Sequence, residues 1–220
     1  MTISVTTTST VITAPDTRLT LAEIIDNVCK EVGLETPATL VGSTDQTARE
    51  LLHHAVEASE EIARRVDWGE LRFTETITGD GVSYQFALPD SFSRLTRGTA
   101  VTFSGVPVRG GLSEDEWADL TPAEGTPRFF RLRGKIIELY PYPASGVEGT
   151  VSYQSENWSS AGLNYWAADD DKTIIPHQLL QKGIVWRWRR QKGEDYSDYL
   201  AEFEAAMQDY SAFDDRARTP

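Results

Sequence analysis

The chain has 220 residues, of which 40% are hydrophobic, and it is long enough to bury a substantial core in one or two domains. Its formal net charge of -13 argues against a protein that binds nucleic acid over its whole surface, because phosphate contacts need cationic side chains. No run approaches the roughly 20 apolar residues of a membrane span, and the N-terminus lacks the pattern of a secretory signal. We therefore expect a protein that is made in a cytoplasm and has no membrane partner.

Residues 1–18 are rich in Thr, Val and Ile but show no apolar period that would close a core. Two interpretations stay open for them: a disordered tail, or an extended arm that adds a strand to a neighbouring chain. Composition alone does not separate the two.

Two helices are predicted next. Thr20 and Glu23 form a capping-box pattern, in which each side chain satisfies a free amide at the start of the first helix. Thr44 or Asp45 caps the second helix, which runs to about Val66 with one apolar face.

After the second helix the apolar period changes from helical to alternating. Residues 73–77 and 84–88 alternate around Gly79-Asp80-Gly81, which is the pattern of a β-hairpin. Further short strands are predicted at 99–103, 106–109, 128–132, 135–140 and 147–153. A capping box at Ser113 opens a short helix around Trp117. Short strands at this spacing favour a small antiparallel sandwich or barrel.

The closing segment predicts two helices joined at Gly193, the first with Pro176 in its first turn and the second beginning near Glu194. Apolar residues, including Trp186 and Trp188, cover more than half of the circumference of the first helix. We therefore expect this helix to lie between its own domain and another part of the chain or another subunit. Both tryptophans are candidate interface residues.

A basic patch on the back of the same helix consists of Lys182, Arg189 and Lys192. In an acidic protein such a patch usually pairs with an acidic surface, here the flank of the next helix or of a neighbour. A local contact with DNA is the alternative.

Together these elements predict an α+β fold, in which a helical bundle from the N- and C-terminal segments carries an inserted antiparallel β-sandwich or barrel-like domain. The helical domain combines residues 19–68 and 174–213, and the β domain covers 69–156. The remaining segments are an extended arm at 1–18, a long loop at 157–173 and a C-terminal tail at 214–220. The length of the loop favours a functional or interface role.

Catalytic and metal chemistry find little support in the sequence. Of the three histidines, His53 and His54 are adjacent on a helix and point about 100° apart, which predicts that they cannot share a metal. His177 has no ligand at a suitable spacing. The acidic run at 169–171 is interpreted as a solvated loop in preference to a calcium site. We therefore predict no catalytic residue, metal or cofactor. An acid-base hydrolase, a further class of function, would need a carboxylate pair in a cleft, and nothing in the sequence singles out such a pair.

The aromatic residues of the long loop offer a different function. Trp158, Tyr165 and Trp166 in an exposed loop beside a β domain would stack on sugars, as in a carbohydrate- or receptor-binding module of a virion or cell surface. Buried or interface anchors are the commoner use of such residues.

Several motifs follow one another along the chain in a characteristic order. They are Val66-Asp67-Trp68, Tyr84, Leu88-Pro89-Asp90-Ser91-Phe92, Arg94-Leu95, the segment 135–141 (KIIELYP), Val151-Ser152-Tyr153-Gln154, and the closing helices from Ile175-Pro176 to Tyr196. In this order, over about residues 20–212, they resemble the head-to-tail adaptor proteins of tailed bacteriophages. The Thr-rich arm before residue 19 is not part of the resemblance.

The resemblance implies a structural protein without enzymatic activity. Such adaptors form a dodecameric ring beneath the portal protein, extend the DNA channel and join the capsid to stopper or tail-terminator proteins. It implies a place in the virion at the head-tail junction after synthesis in the host cytoplasm, with at most a passing, non-specific contact with genomic DNA. The portal-docking residues would be Tyr210, Phe213, Arg216 and Arg218. An acidic channel surface would repel the phosphate backbone and let DNA slide.

Overall fold

The computed structural model describes residues 17–216, with side chains described from 17 to 212. The helices in this range are α1 (Leu21–Val32), α2 (Gln46–Arg65), α3 (Glu114–Ala118), α4 (His177–Lys192) and α5 (Ser197–Arg216). The strands are β1 (Arg72–Thr78), β2 (Gln85–Ala87), β3 (Phe92–Leu95), β4 (Val101–Phe103), β5 (Val106–Pro107), β6 (Glu124–Gly125), β7 (Phe129–Arg133), β8 (Ile136–Tyr140), β9 (Tyr142–Pro143) and β10 (Glu148–Ser155). The predicted α+β class is confirmed by this mixture of helices and mainly antiparallel sheets.

Capping residues set the starts of the helices as predicted. The Thr20 hydroxyl accepts the Glu23 N–H at 3.2 Å, and the Thr20 N–H donates to the Glu23 carboxylate at 2.8 Å. Those bonds to Thr20 lower the pKa of Glu23 below its ordinary value, because they favour the charged form. Asp45, and not Thr44, caps α2 by accepting the Ala48 N–H at 2.8 Å.

The second closing helix, α5, begins at Ser197 and not near Glu194. Gly193 adopts a left-handed conformation with φ of 73°, which lets the Glu194 N–H donate back to the Arg189 carbonyl at 2.9 Å. Glu194 therefore completes the end of α4. The Asp195 carboxylate then accepts the Ser197 N–H at 3.1 Å and starts α5.

The central helix of the helical core is α4, which packs against α1, α2 and α5. Its fully buried apolar residues are Leu179, Leu180, Ile184 and Val185. Gly183 permits the close packing, because a Cβ there would lie 3.0 Å from the Ala58 Cβ of α2 and 3.3 Å from the Phe203 ring of α5. The wide apolar surface of α4, which we expected to be covered on two sides, is therefore covered by other helices of the same chain.

The predicted hairpin between residues 73–77 and 84–88 was wrong. β1 pairs along its length with β10, whereas β2 pairs with β8 of another sheet. The turn between β1 and β2 packs against the segment 144–147. The Gly79 N–H donates to the Val147 carbonyl at 2.8 Å, and a Cβ on Gly79 would lie 2.3 Å from the Ala144 carbonyl oxygen. The turn therefore carries the chain from one sheet to the other.

Two antiparallel sheets share a second core. The first has the strand order β1-β10-β4-β5, with β3 also paired to β10, and the second has the order β2-β8-β7. A short parallel pair joins β6 to β9. Buried residues of both sheets form one cluster that includes Val101, Phe103 and Val151 from the first and Ile137 and Leu139 from the second. The finer arrangement as a sandwich or barrel, and the predicted domain boundaries, stay predictions.

The junction between the helical core and the β core is held by Asp67, which is 6% exposed. Its carboxylate accepts the Arg97 N–H at 2.9 Å and pairs with Arg94 at 2.8 Å. Arg94 also donates to the Val66 carbonyl at 2.8 Å. The end of α2 is thus tied to β3 and the turn that follows it.

The packing of β10 against β4 yields a first prediction. Gly149 lies opposite Phe103, and a Cβ on Gly149 would stand 2.5 Å from three carbons of that buried ring. Gly149→Ala should lower the free energy of unfolding by about 1–3 kcal/mol, as overpacking of a core does. Gly125→Ala is the matched control, because its nearest neighbour would be 3.6 Å away. Equal urea midpoints for the two variants would contradict the packing described.

A second prediction concerns Glu138, which is 1% exposed in β8. Burial raises the pKa of Glu138, but Arg131 and a 2.8 Å hydrogen bond from Gln85 outweigh it, so the pKa lies below its ordinary value of 4.5. A lowered pKa stabilises the fold above about pH 4.5, and this contribution is lost as the pH falls through the folded pKa. Urea unfolding should show Glu138→Gln as less stable than wild type at pH 7, with the gap narrowing below pH 4.5. A gap independent of pH would contradict this assignment.

Candidate assembly surfaces

Arg187 places a guanidinium inside the helical core, with its side chain 5% exposed. It pairs with Glu61 of α2 and donates to the Gly183 carbonyl at 2.8 Å. Its Nε lies 3.9 Å from Glu57 Oε2. Burial lowers the pKa of Arg187, and the two glutamates oppose that shift. The group therefore ties α4 to α2 by charge as well as by packing.

Cations also cover the tryptophans of α4. The Arg187 guanidinium lies 4.4 Å from the centre of the Trp186 ring, and Arg190 covers the same ring at 4.9 Å. The Lys192 ammonium lies 4.4 Å from the Trp188 ring. Trp186 is 8% exposed and Trp188 is 4% exposed. Both are packed within the chain, so the structure offers little of either side chain to a neighbour.

The predicted basic patch is paired with acidic residues. Lys182 bonds Glu202 of α5 at 2.7 Å, as the expectation of an acidic flank on the next helix required. Arg189 bonds Glu194 at 2.9 Å, just before α5. Lys192 points to the other side of α4 and bonds Glu50 of α2 at 2.5 Å. These pairings favour the acidic-surface interpretation over the contact with DNA.

The two tryptophans of the long loop are buried, which is the commoner use of such residues, and are not exposed as the sugar-binding alternative requires. Trp158 is 1% exposed and Trp166 is 4% exposed, and their ring centres lie 4.9 Å apart. Both belong to the helical core. Tyr165 is 51% exposed and is the aromatic residue of this loop that faces solvent. A sugar platform built from the three aromatic side chains is therefore absent from the described surface of the loop.

The acidic run of the loop is bound to the helical core, contrary to its interpretation as a solvated segment. The Asp169 carboxylate accepts the backbone N–H groups of Leu40 at 3.0 Å and Val41 at 2.7 Å. The Asp171 carbonyl accepts the Leu21 N–H at 2.8 Å, which satisfies a free amide at the start of α1. The long loop thus fixes the N-terminus of α1.

The predicted portal-docking residues lie at the end of α5. Tyr210 is partly buried against the helical core, and its hydroxyl donates to Gln178 of α4 at 2.5 Å. Phe213 and Arg216 lie on the α5 backbone, but their side chains are outside the described residues, as is all of Arg218. The last buried apolar residues of α5 in the described range are Phe203 and Met207.

Exposed apolar side chains of the β region were missed by the sequence analysis. They are Phe73, Val82, Tyr84, Val106, Leu132 and Ile136, with exposures from 37% to 79%. In the sequence, alternation of apolar and polar residues shows that a strand has one apolar face. Alternation does not show which strands also expose apolar side chains to solvent. These residues make the β region a candidate contact surface.

The prediction that His53 and His54 cannot share a metal was wrong in its geometry. Their ring centres lie 5.6 Å apart, and together with Glu57 each offers one ligand atom within 4.8 Å of the others. The 100° angle describes the Cα–Cβ directions, whereas rotation about the side-chain bonds brings the rings together.

Within residues 17–216, no helix combines the length and apolar character needed to cross a membrane.

The described residues form an α+β protein with a helical core, a β core and exposed apolar side chains on the β region. The chain belongs to the SU10 adaptor protein family, whose family model matches residues 19–220. No curated protein matches the chain. The family match confirms the resemblance to phage head-to-tail adaptors, and it identifies the chain as a bacteriophage adaptor and a structural component of the virion. The Thr-rich residues before 19 lie outside the match.

The buried cation of α4 yields a third prediction. Arg187→Ala should lower the free energy of unfolding by about 2–4 kcal/mol, because it removes a buried cation that pairs with Glu61 and leaves a cavity. Lys182→Ala is the control: it breaks an ion pair whose side chains are 40% and 61% exposed, and it should cost less than about 1 kcal/mol. Urea unfolding of both variants checks the difference. A cost for Arg187→Ala as small as that of the control would show that the buried pair does not stabilise the core.

Proposed function

We propose that this adaptor forms a dodecameric ring beneath the portal protein, extends the DNA channel and joins the capsid to stopper or tail-terminator proteins. The observation that carries the proposal is the family match over residues 19–220, which spans both the helical core and the β core. The site of action is the head-tail junction of the virion, after synthesis in the host cytoplasm. The partners are further copies of the chain, the portal protein and the next protein of the tail.

The end of α5 supports docking to the portal. Phe203 and Met207 anchor the helix to the core, whereas Ser211 is half-buried and Ala212 is exposed. The helix backbone continues to Arg216, beyond the last described contact with the core. Phe213, Arg216 and Arg218 would then supply an apolar anchor and two cations to a cleft of the portal.

The β region supports contacts on a second surface. Its exposed apolar side chains belong to the β region, whereas α5 belongs to the helical core. A copy of the chain can therefore present two unlike surfaces to its neighbours. Contacts between unlike surfaces close into rings when the rotation between copies is an exact fraction of a turn. We assign the β region to contacts with a neighbouring subunit or with the tail protein.

The charge distribution supports passage of DNA without binding. The net charge is -13, and the cations of the former basic patch are paired with Glu202, Glu194 and Glu50. A channel with such a surface repels phosphate and limits genomic DNA to non-specific, passing contact. The carbohydrate- or receptor-binding alternative keeps only Tyr165 as an exposed aromatic residue of the loop, and no described contact favours it.

A fourth prediction tests the docking tail. Deletion of residues 211–220 should leave the fold intact, because Ser211 and Ala212, the two residues of this segment with described side chains, are not buried. It should abolish binding to the portal protein of the same phage. Light scattering with negative-stain imaging, applied to the adaptor alone and mixed with portal, measures both the mass and the rings.

The matched control for this deletion is Lys182→Ala, which breaks only the exposed ion pair with Glu202. This variant should keep the fold and bind the portal as wild type does. A folded deletion variant that still binds the portal would contradict the docking assignment. A wild-type protein that stays monomeric both alone and with the portal would contradict the ring.

A further inference from the structure

The geometry points to a binding site for a divalent transition-metal ion such as Zn²⁺, formed by His53, His54 and Glu57 on α2. His53 Nε2 lies 3.5 Å from Glu57 Oε1, and His54 Nδ1 lies 3.5 Å from Glu57 Oε2. A tetrahedral zinc ion, with ligands at about 2.0–2.2 Å, separates neighbouring ligand atoms by about 3.3–3.5 Å. Small side-chain rotations therefore bring the three groups onto one ion.

The orientation of His54 suits a metal ligand. Its Nε2 is within hydrogen-bonding distance of the Oε1 of Gln191 on α4. In the tautomer that donates to this amide oxygen, Nδ1 carries a lone pair that can bind a metal ion. Nδ1 lies 3.5 Å from Oε2 of Glu57, so one ion between them would be bound by both residues.

Contacts with the surrounding helices orient two of the three ligands, the buried His54 and the partly exposed Glu57. His54 is 5% exposed and meets the Trp188 ring edge-on, with ring centres 6.5 Å apart. Its bond to Gln191 is the kind of outer contact that fixes the tautomer of a metal-bound histidine. Glu57 is oriented by Arg187, whose Nε lies 3.9 Å from Oε2.

The charges around the site permit a bound cation. Arg187 opposes it, but that guanidinium is itself paired with Glu61. Lys192 is likewise paired with Glu50 at 2.5 Å. On the outer side, His53 is 67% and Glu57 is 41% exposed, so a fourth coordination position is open to water. Two imidazoles and a carboxylate match the ligands that zinc takes in open sites.

An ion at this site would stabilise the contact between α2 and α4, because Gln191 links the bound histidine to the central helix. The inference does not rest on the adaptor function, since the residues belong to a single chain. The thermal midpoint of unfolding should rise with the concentration of added Zn²⁺, as for any ligand that binds only the folded state.

The test is a calorimetric titration of the untagged, full-length protein with Zn²⁺ after removal of metals by a chelator. Saturable binding of one ion per chain is expected. His53→Ala and Glu57→Gln should each abolish or strongly weaken it, and Gln191→Leu should weaken it by about 10- to 100-fold. His177→Ala, which removes the third histidine at the start of α4, should bind as wild type does.

A second readout uses Co²⁺ in place of Zn²⁺, because tetrahedral coordination gives visible absorption bands that a loosely associated ion lacks. Wild type should show these bands and His53→Ala should not, while both proteins melt at the same temperature in the chelator. Absence of one-to-one binding in wild type would overturn the inference. Binding that is unchanged in His53→Ala would overturn it as well.

Discussion

The helical core depends on the neutralisation of one buried cation. α4 brings Arg187 between α2 and α5, where only 5% of its side chain is exposed, and an uncompensated charge there would cost several kcal/mol. Glu61 and Glu57 of α2 supply the compensating charge, while Trp186 and Phe203 cover the guanidinium at 4.4 and 5.9 Å. This requirement fixes the rotation of α2 and α4 relative to each other, because only one face of α2 carries both glutamates. The close packing at Gly183, one turn earlier on α4, sets how near the two helices come.

Local features of the fold were predictable because their causes lie within a few residues. The capping boxes at Thr20 and Ser113 and the left-handed helix end at Gly193 all occur as predicted. The hairpin was not predictable in this way, because alternation in two neighbouring segments does not identify the partner of either strand. Here the partner of β1 is β10, about 75 residues later, and tertiary packing of the turn against 143–147 decided between the two pairings.

The candidate surfaces were predicted less well than the fold, for two physical reasons. Trp158 and Trp166 lie in a polar loop that is bound to the helical core through distant amides, and such hydrogen bonds leave no periodic signal in the loop itself. The basic residues of α4 lie on the predicted helix, but they pair with acidic residues on α2 and around α5. The exposed fraction of a side chain depends on the packing of the folded protein, whereas residue type and spacing describe only the chemistry of the side chain and its place on an element. Sequence reasoning therefore identified the class of protein better than it identified which side chains are exposed.

α2 connects the parts of the molecule that the proposed assembly would use. Its N-terminus is capped by Asp45, its middle turns carry Glu57 and Glu61 against α4, and beyond its C-terminus Asp67 binds Arg94 and Arg97 of the β region. A portal bound at the end of α5 would act on α4 through the core, and α4 is tied to α2 by the buried ion pair. A partner bound on the β region would act on the same helix through Asp67. Because α2 is in contact with both α4 and the β region, a shift in the rotation of α2 would change the packing on both sides.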